Sequence, residues 1–119
     1  MQLRLIFKPV MAQNNNAHNL GLDQFLAYVE RFDVVPQSGS ANVPNQFTGM
    51  YVLRRALRSD GLRQGHIVPV KFFRAAIMLA PHHGQRADTR FSRENSMECA
   101  SEFWLNHYFN KELFYSLQL

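Results

Sequence analysis

The sequence predicts an α+β fold, a small β-rich domain that ends in a helix. Short apolar segments with the alternation or the β-branched and aromatic content of strands recur along the first two thirds of the chain. Loops rich in Gly, Pro, Asn and Ser separate them. Near the end, Asn110 precedes Lys111–Leu117, in which three apolar side chains share one helical face. We expect a partly open barrel of the SH3 or BAH type, capped by this C-terminal helix.

Length and composition indicate one globular domain over residues 1–119. The chain is 46% hydrophobic and contains ten Phe, which argues against disorder. A chain of this length buries roughly two thirds of its unfolded surface on folding, so a single core is feasible.

The first two strands are predicted on either side of a loop. The first strand has one wetter face and ends at Pro9, because Leu3, Leu5 and Phe7 alternate with Arg4, Ile6 and Lys8. Residues 13–21 have the composition of a flexible loop. A second strand follows over Phe25–Phe32, and a Ser, Gly, Asn and Pro linker occupies residues 37–46.

A hairpin is predicted next. Met50–Arg55 is assigned to a strand in preference to a helix because Tyr51 and Val52 favour strands. The chain turns through Asp60-Gly61, and Ile67–Val70 is the expected return strand. Pro69 cannot donate a ladder hydrogen bond, so that strand should lie at an edge or break there.

The remaining elements are short. Ala75–Ala80, which is apolar throughout and closed by Pro81, predicts another buried strand. Asn95 and Glu98 have the spacing of an N-cap with a returning carboxylate, which predicts a helix from Ser96. Residues 103–109 fit either a strand or a helix.

Basic residues are concentrated in the middle of the chain. The formal net charge is +4, yet residues 54–93 hold nine Lys or Arg against two Asp. Arginine offers a planar fork that suits phosphate, so this segment is a candidate nucleic-acid site. Alternatively, the segment is the solvated tip of a hairpin. Arg54 and Arg55 are neighbours in one strand and point to opposite faces, so they cannot both contact one ligand. The candidate binding residues are Arg54, Arg55, Arg58, Arg63, Lys71 and Arg74.

Aromatic side chains offer a second route to binding. A surface platform for bases or for a cation can draw on Tyr28, Phe32, Tyr51, Trp104 and Tyr108. Aromatic residues more often belong to the core. We expect the core for Trp104 and Phe103.

The sequence offers no catalytic or metal-binding constellation, so we predict neither enzyme activity nor a cofactor. Scattered carboxylates do not suit a two-metal recombinase site. Adjacent side chains of His82-His83 should point apart in an extended loop, and a zinc site would need His66 or His107 as well. The single cysteine, Cys99, excludes an internal disulfide, and we expect it to be a small buried side chain and not a nucleophile.

Targeting signals are not evident. The longest apolar run is far shorter than the roughly 20 residues that span a bilayer, and the N-terminal segment lacks a signal-peptide pattern. A lone cysteine fits a reducing compartment, so we expect an intracellular protein with no membrane partner. If the basic segment binds DNA, the nucleus is the expected place.

Several motifs together resemble one protein family. The closing motif, which begins Glu102-Phe103-Trp104-Leu105-Asn106, is the most specific of them. The chain is similar to the uncharacterised C-terminal domain of proteins encoded by Plavaka-type transposons, CACTA-like elements of basidiomycete fungi. It departs mildly at Asn110, where the family more often has Asp, and at His82-His83, which replace a basic and an aromatic residue. The motifs are Leu3-Arg4-Leu5-Ile6-Phe7, Leu26-Ala27-Tyr28-Val29-Glu30, Gly49-Met50-Tyr51 with Arg54-Arg55, Gly84-x-x-Ala87-Asp88 after Pro81, and Glu102-Phe103-Trp104-Leu105-Asn106-x-Tyr108-Phe109-Asn110-Lys111-Glu112-x-Phe114.

The resemblance implies that the chain is a fragment or relic of a larger transposase-related protein, whose catalytic carboxylates would lie upstream. It implies no activity for the domain itself. We therefore predict a non-catalytic accessory domain that binds DNA or chromatin weakly through a basic face. The alternative is a protein interaction or structural module that packs against the remainder of its parent protein.

Overall fold

The computed structural model describes residues 1–10, 24–37, 39 and 43–108. These residues form two antiparallel sheets and one short helix, so the prediction of a small β-rich α+β fold is confirmed at this level. The described elements are β1 (Gln2–Phe7), β2 (Leu26–Glu30), β3 (Phe32–Val34), β4 (Tyr51–Arg55), β5 (Gly65–Pro69), a 3-10 turn (Val70–Phe72), β6 (Met78–Pro81), α1 (Ser96–Cys99) and β7 (Glu102–Asn106).

The chain divides into two compact units that alternate along the sequence. The first unit comprises Met1–Phe32 and Ala56–Ala75, and the second comprises Asp33–Arg55 and Ala76–Leu119. Each unit contains one of the sheets. Whether the two units act as the predicted single domain stays a prediction.

The first unit is built on the central strand β2, which lies between β1 and β5. Its residues Leu26, Ala27 and Val29 are buried. The predicted first strand is confirmed as β1. Its predicted alternation is wrong: the register shifts after Leu3, and residues 3 to 6 are all exposed.

The predicted hairpin is wrong in its pairing. Strand β5 pairs with β2, Tyr28 lying opposite Ile67, and β4 pairs with β7. A smaller turn replaces the hairpin, with an isolated bridge between Leu57 and Arg63. The β5 strand is nevertheless an edge strand that ends at Pro69, as the missing proline donor predicts.

The second unit is built around β7, so residues 103–106 of the ambiguous segment form a strand. The sheet order is β3-β4-β7-β6. Phe103 lies opposite Leu53 and Pro81 and is fully buried, whereas Trp104 on the other face is half-buried. The core prediction for Phe103 is therefore confirmed.

Two local predictions in this unit need correction. The strand expected over residues 75–80 begins only at Met78, and its expected burial is wrong because residues 75–78 are exposed. Helix α1 begins at Ser96 with Asn95 at the N-cap position, as predicted, but the Asn95 side chain makes no capping hydrogen bond. The Asn95 side chain instead accepts a hydrogen bond from the Ser92 backbone N–H over 2.7 Å.

Two predictions fall outside the described residues, namely the loop over residues 13–21 and the helix over residues 111–117. Within the described part of the chain, no helix has the length and apolarity that crossing a membrane requires.

Candidate nucleic-acid interface

The six predicted binding residues do not share one hairpin. Arg54 and Arg55 end strand β4 in the second unit. The other four belong to the first unit, where Arg58 and Arg63 flank the small turn, and where Lys71 and Arg74 follow β5.

Arg54 is held by a carboxylate of the neighbouring strand. Its Nη2 and Nε atoms donate to Oε1 of Glu102 over 2.8 and 3.2 Å. The other carboxylate oxygen lies 3.1 Å from Nδ1 of His82, whose ring packs edge-on against Trp104. The Arg54 hydrogen bond and, to a lesser degree, His82 lower the pKa of Glu102, although partial burial opposes the shift.

The Arg55 side chain is buried within the second unit. Neighbouring side chains of a strand point to opposite faces, and Arg55 is 8% exposed whereas Arg54 is exposed, as predicted. The Arg55 guanidinium donates to the backbone carbonyl of Met97 and lies 5.5 Å from the ring centre of Phe103. It is therefore not accessible to a phosphate backbone.

Arg63 is bound to a buried carboxylate. Its Nη1 atom donates to Oε2 of Glu30 over 3.2 Å, and Arg4 Nε lies 3.4 Å from the other oxygen. Sequence reasoning missed Glu30, although its signal was present: a charge at the end of an apolar segment, spaced to share a face with Leu26. Arg58 makes only an exposed pair with Asp60, over 3.6 Å.

Lys71 and Arg74 differ from the other candidates because they are exposed and stand outside the ion pairs of the described residues. Both are exposed, and neither makes an ion pair with a carboxylate among the described residues. Between them lie Phe72 and Phe73, also exposed. The 3-10 turn fixes this stretch, since the Phe73 N–H donates to the carbonyl of Val70 over 3.0 Å.

One end of the first sheet brings cations and aromatic rings together. At this end of the sheet, Leu26 of β2 pairs with Phe7 of β1 and with Pro69 of β5. The residues just beyond these three positions are therefore neighbours. The Val70 N–H donates to the Phe25 carbonyl over 3.0 Å and ties two of these segments together. We call this region the basic aromatic end; it consists of Lys8, Phe25, Lys71, Phe72 and Arg74.

The two phenylalanine rings of the basic aromatic end are unusually open. Phe72 is 68% exposed and Phe25 is 59% exposed. A lysine ammonium stands near each ring: Lys71 Nζ lies 5.5 Å from the Phe72 centre, and Lys8 Nζ lies 5.9 Å from the Phe25 centre. This arrangement can hold a ligand that offers both anionic and flat apolar groups.

An apolar row crosses the same sheet. Leu5, Tyr28 and Ile67 lie opposite one another in β1, β2 and β5, with 57, 38 and 61% of their surfaces exposed. The Tyr28 ring lies over Gly65, where a Cβ atom would overlap it. We call these three side chains the apolar row.

The residues considered as candidates for catalysis or metal binding are spread out. His82 contacts Trp104 while His83 lies against Phe91, so the two imidazoles diverge as expected. Among the described residues, no three His, Cys, Asp or Glu side chains are grouped as metal ligands. The prediction of a buried cysteine is wrong, because Cys99 is exposed beside a shallow, open depression.

Comparison with known proteins gives one partial match. Residues 1–51 match the family model for a domain of unknown function (DUF6830). This segment spans β1 to β3 and reaches the first residue of β4. No curated protein and no solved structure matches the chain.

Proposed function

We propose that the chain is a non-catalytic accessory domain that binds DNA weakly through the basic aromatic end. One observation carries the proposal: Lys71 and Arg74 are exposed cations with no carboxylate partner among the described residues, and they flank exposed aromatic rings. Cations of this kind can displace counterions from a phosphate backbone without first breaking an internal ion pair.

The arginines of the small turn and of β4 contribute less in this proposal. Arg55 and Arg63 are engaged with the Met97 carbonyl and the buried Glu30 carboxylate, and removing them from these partners is costly. Arg54 and Arg58 are in exposed pairs, which are weak. They add to the positive field around the chain but do not define the site.

The proposed contact is small, so its dependence on salt should be shallow. Each phosphate neutralised on duplex DNA changes the logarithm of the binding constant by about −0.9 per logarithmic unit of salt. With Lys8, Lys71 and Arg74 as the contacting cations, we expect a slope between about −2 and −3. A basic hairpin with more arginines would give a steeper slope.

Fluorescence anisotropy of a labelled duplex across a salt series tests the proposal. The variant Lys71→Gln/Arg74→Gln should lose most of the binding measured at low salt. Arg86→Gln/Arg93→Gln is the matched control, because it removes the same charge from two exposed arginines of the second unit. An equal loss of affinity in both variants would show that net charge alone causes the effect, and would contradict a binding site at the basic aromatic end.

The second candidate is a protein interaction module, which the apolar row favours. Three exposed apolar side chains on one sheet surface are a suitable contact for another protein. Sedimentation over a range of concentrations, with Ile67→Glu as the variant, tests whether this surface associates. A strictly monomeric wild type that does not bind an apolar dye would count against it.

We also propose, from the motif resemblance, that the parent protein is encoded by a Plavaka-type transposon and acts in the nucleus. A transposase reading frame upstream at the genomic locus would support this origin. The same proposal includes closure of the sheets into an SH3- or BAH-like barrel, which an experimental structure of the whole chain would test.

A further inference from the structure

We propose that the basic aromatic end prefers single-stranded nucleic acid, RNA or DNA, to a duplex. This inference rests on the proposed function and names its ligand. The residues that carry it are Phe25 and Phe72, each exposed by more than half and each beside a lysine.

A duplex uses only part of what this surface offers. Its phosphates can contact Lys71 and Arg74, but its base faces are stacked within the helix and cannot reach Phe72. An unpaired strand presents both phosphates and free base faces. Stacking of a base on an aromatic ring accepts any base, so the preference is for strandedness and not for sequence.

The fold brings together the backbone segments that carry the two rings. Phe25 precedes β2, and the 3-10 turn with Phe72 follows β5, the strand paired with β2. The hydrogen bond between the Val70 N–H and the Phe25 carbonyl joins the two segments directly. A strand of a few nucleotides that follows the cations therefore passes both rings.

The alternative is that the lysine stems merely cover the rings. Long side chains do lie along apolar surfaces while their charges remain in water. In that case Phe72 has no ligand, and its removal leaves nucleic-acid binding unchanged. The two explanations predict different results for one substitution.

The test compares labelled oligonucleotides of about 12 nucleotides, a length within the site sizes of small single-strand-binding modules. The probes are oligo(dT), oligo(rU) and a duplex of the same length, each titrated at low salt with wild type and with Phe72→Ala. Phe47→Ala is the matched control, since Phe47 is 86% exposed and belongs to the second unit. Circular dichroism and thermal unfolding verify that each variant is folded.

We expect Phe72→Ala to weaken binding to both single strands by about fivefold or more, with little change for the duplex. Phe47→Ala should change neither. Equal affinity for the duplex, or an unchanged affinity of Phe72→Ala for single strands, would overturn this inference and leave the proposed function standing. A tenfold or greater difference between the two single strands would overturn the assignment to stacking alone. Absence of binding to all three probes would overturn both proposals.

Discussion

The carboxylate of Glu30, only 7% exposed as a residue, accepts a hydrogen bond from Arg63 Nη1 over 3.2 Å. Arg4 approaches the same carboxylate from β1, over 3.4 Å. One buried charge thus connects the N-terminal strand, the central strand and the small turn of the first unit. The arrangement accounts for an acidic residue in a strand whose other residues, apart from Tyr28, are buried and apolar.

Replacement of this carboxylate should destabilise the chain. We expect Glu30→Gln to lower the free energy of unfolding by about 1–3 kcal/mol, because a neutral amide replaces the buried carboxylate that Arg63 and Arg4 approach. Chemical denaturation measures the loss. Asp60→Asn removes a carboxylate from the exposed pair with Arg58 and should cost under about 0.5 kcal/mol. Equal effects of the two variants would contradict the structural role of Glu30.

Arg55 should matter for stability and Arg54 much less. Arg55→Ala leaves the Met97 carbonyl without its donor and removes a group packed on Phe103, so we expect a cost of about 2–4 kcal/mol. Arg54→Ala breaks a pair whose arginine side chain is 60% exposed and should cost under about 1 kcal/mol. Thermal unfolding of both variants tests the difference, and similar midpoints would refute it.

Acid should weaken the second unit through Glu102. Its pKa is lowered in the folded chain, so the stability that it contributes is present above its ordinary value of 4.5 and is lost as the pH falls through the lowered value. Arg54→Gln should flatten this part of the pH profile of unfolding. Asp88, whose pKa is lowered from 3.8 to about 2 by its hydrogen bonds with Arg90, also loses its contribution to stability as the pH falls between these two values. The pH profile of unfolding is therefore compared with and without Arg54→Gln in an Asp88→Asn background. The same slope in both proteins would contradict the effect of Arg54 on Glu102.

Gly65 should be sensitive to any side chain. A Cβ atom there overlaps the Tyr28 ring, so we expect Gly65→Val to displace that ring and to cost about 1–3 kcal/mol. The Tyr28→Leu background removes the overlapping ring atoms and should recover part of the loss. A double-mutant cycle measured by denaturation gives the coupling energy between the two positions. A coupling of zero would show that the ring does not rest on Gly65.

The exposure of Cys99 has a direct chemical test. We expect its thiol to react with a water-soluble disulfide reagent in the native protein, without prior unfolding. The same reaction in denaturant provides the reference for complete labelling. Protection that disappears only on unfolding would place the thiol in the core.

The sequence was more informative about strands than about their partners. Alternation, the strand preference of Tyr51 and Val52, and proline positions identified β1, β4 and β5, because these signals are local. The pairing of β5 with β2 was missed, since the small turn after Leu57 resembles the tip of a long hairpin and nothing local excludes that pairing.

The candidate site was predictable only in part. Lys71 and Arg74 were identified from charge, but Phe25 and Phe72 were assigned to no function because exposure depends on which strands pair. Glu30 binds Arg63 but is distant from it in the sequence, so no local pattern predicts this pair. Charge counts cannot distinguish an arginine that is open to a ligand from one already bound to a carboxylate.

The alternation of the two units along the chain affects how the protein can be made and divided. During synthesis the first sheet stays incomplete until β5 emerges, after β4 of the other sheet has already left the ribosome. A fragment ending at residue 51 would contain β1 and β2 without their third strand, and β3 with only the first residue of β4. Neither unit can be cut out as one contiguous piece, so domain-mapping by truncation will yield fragments with unpaired edges that are prone to aggregate.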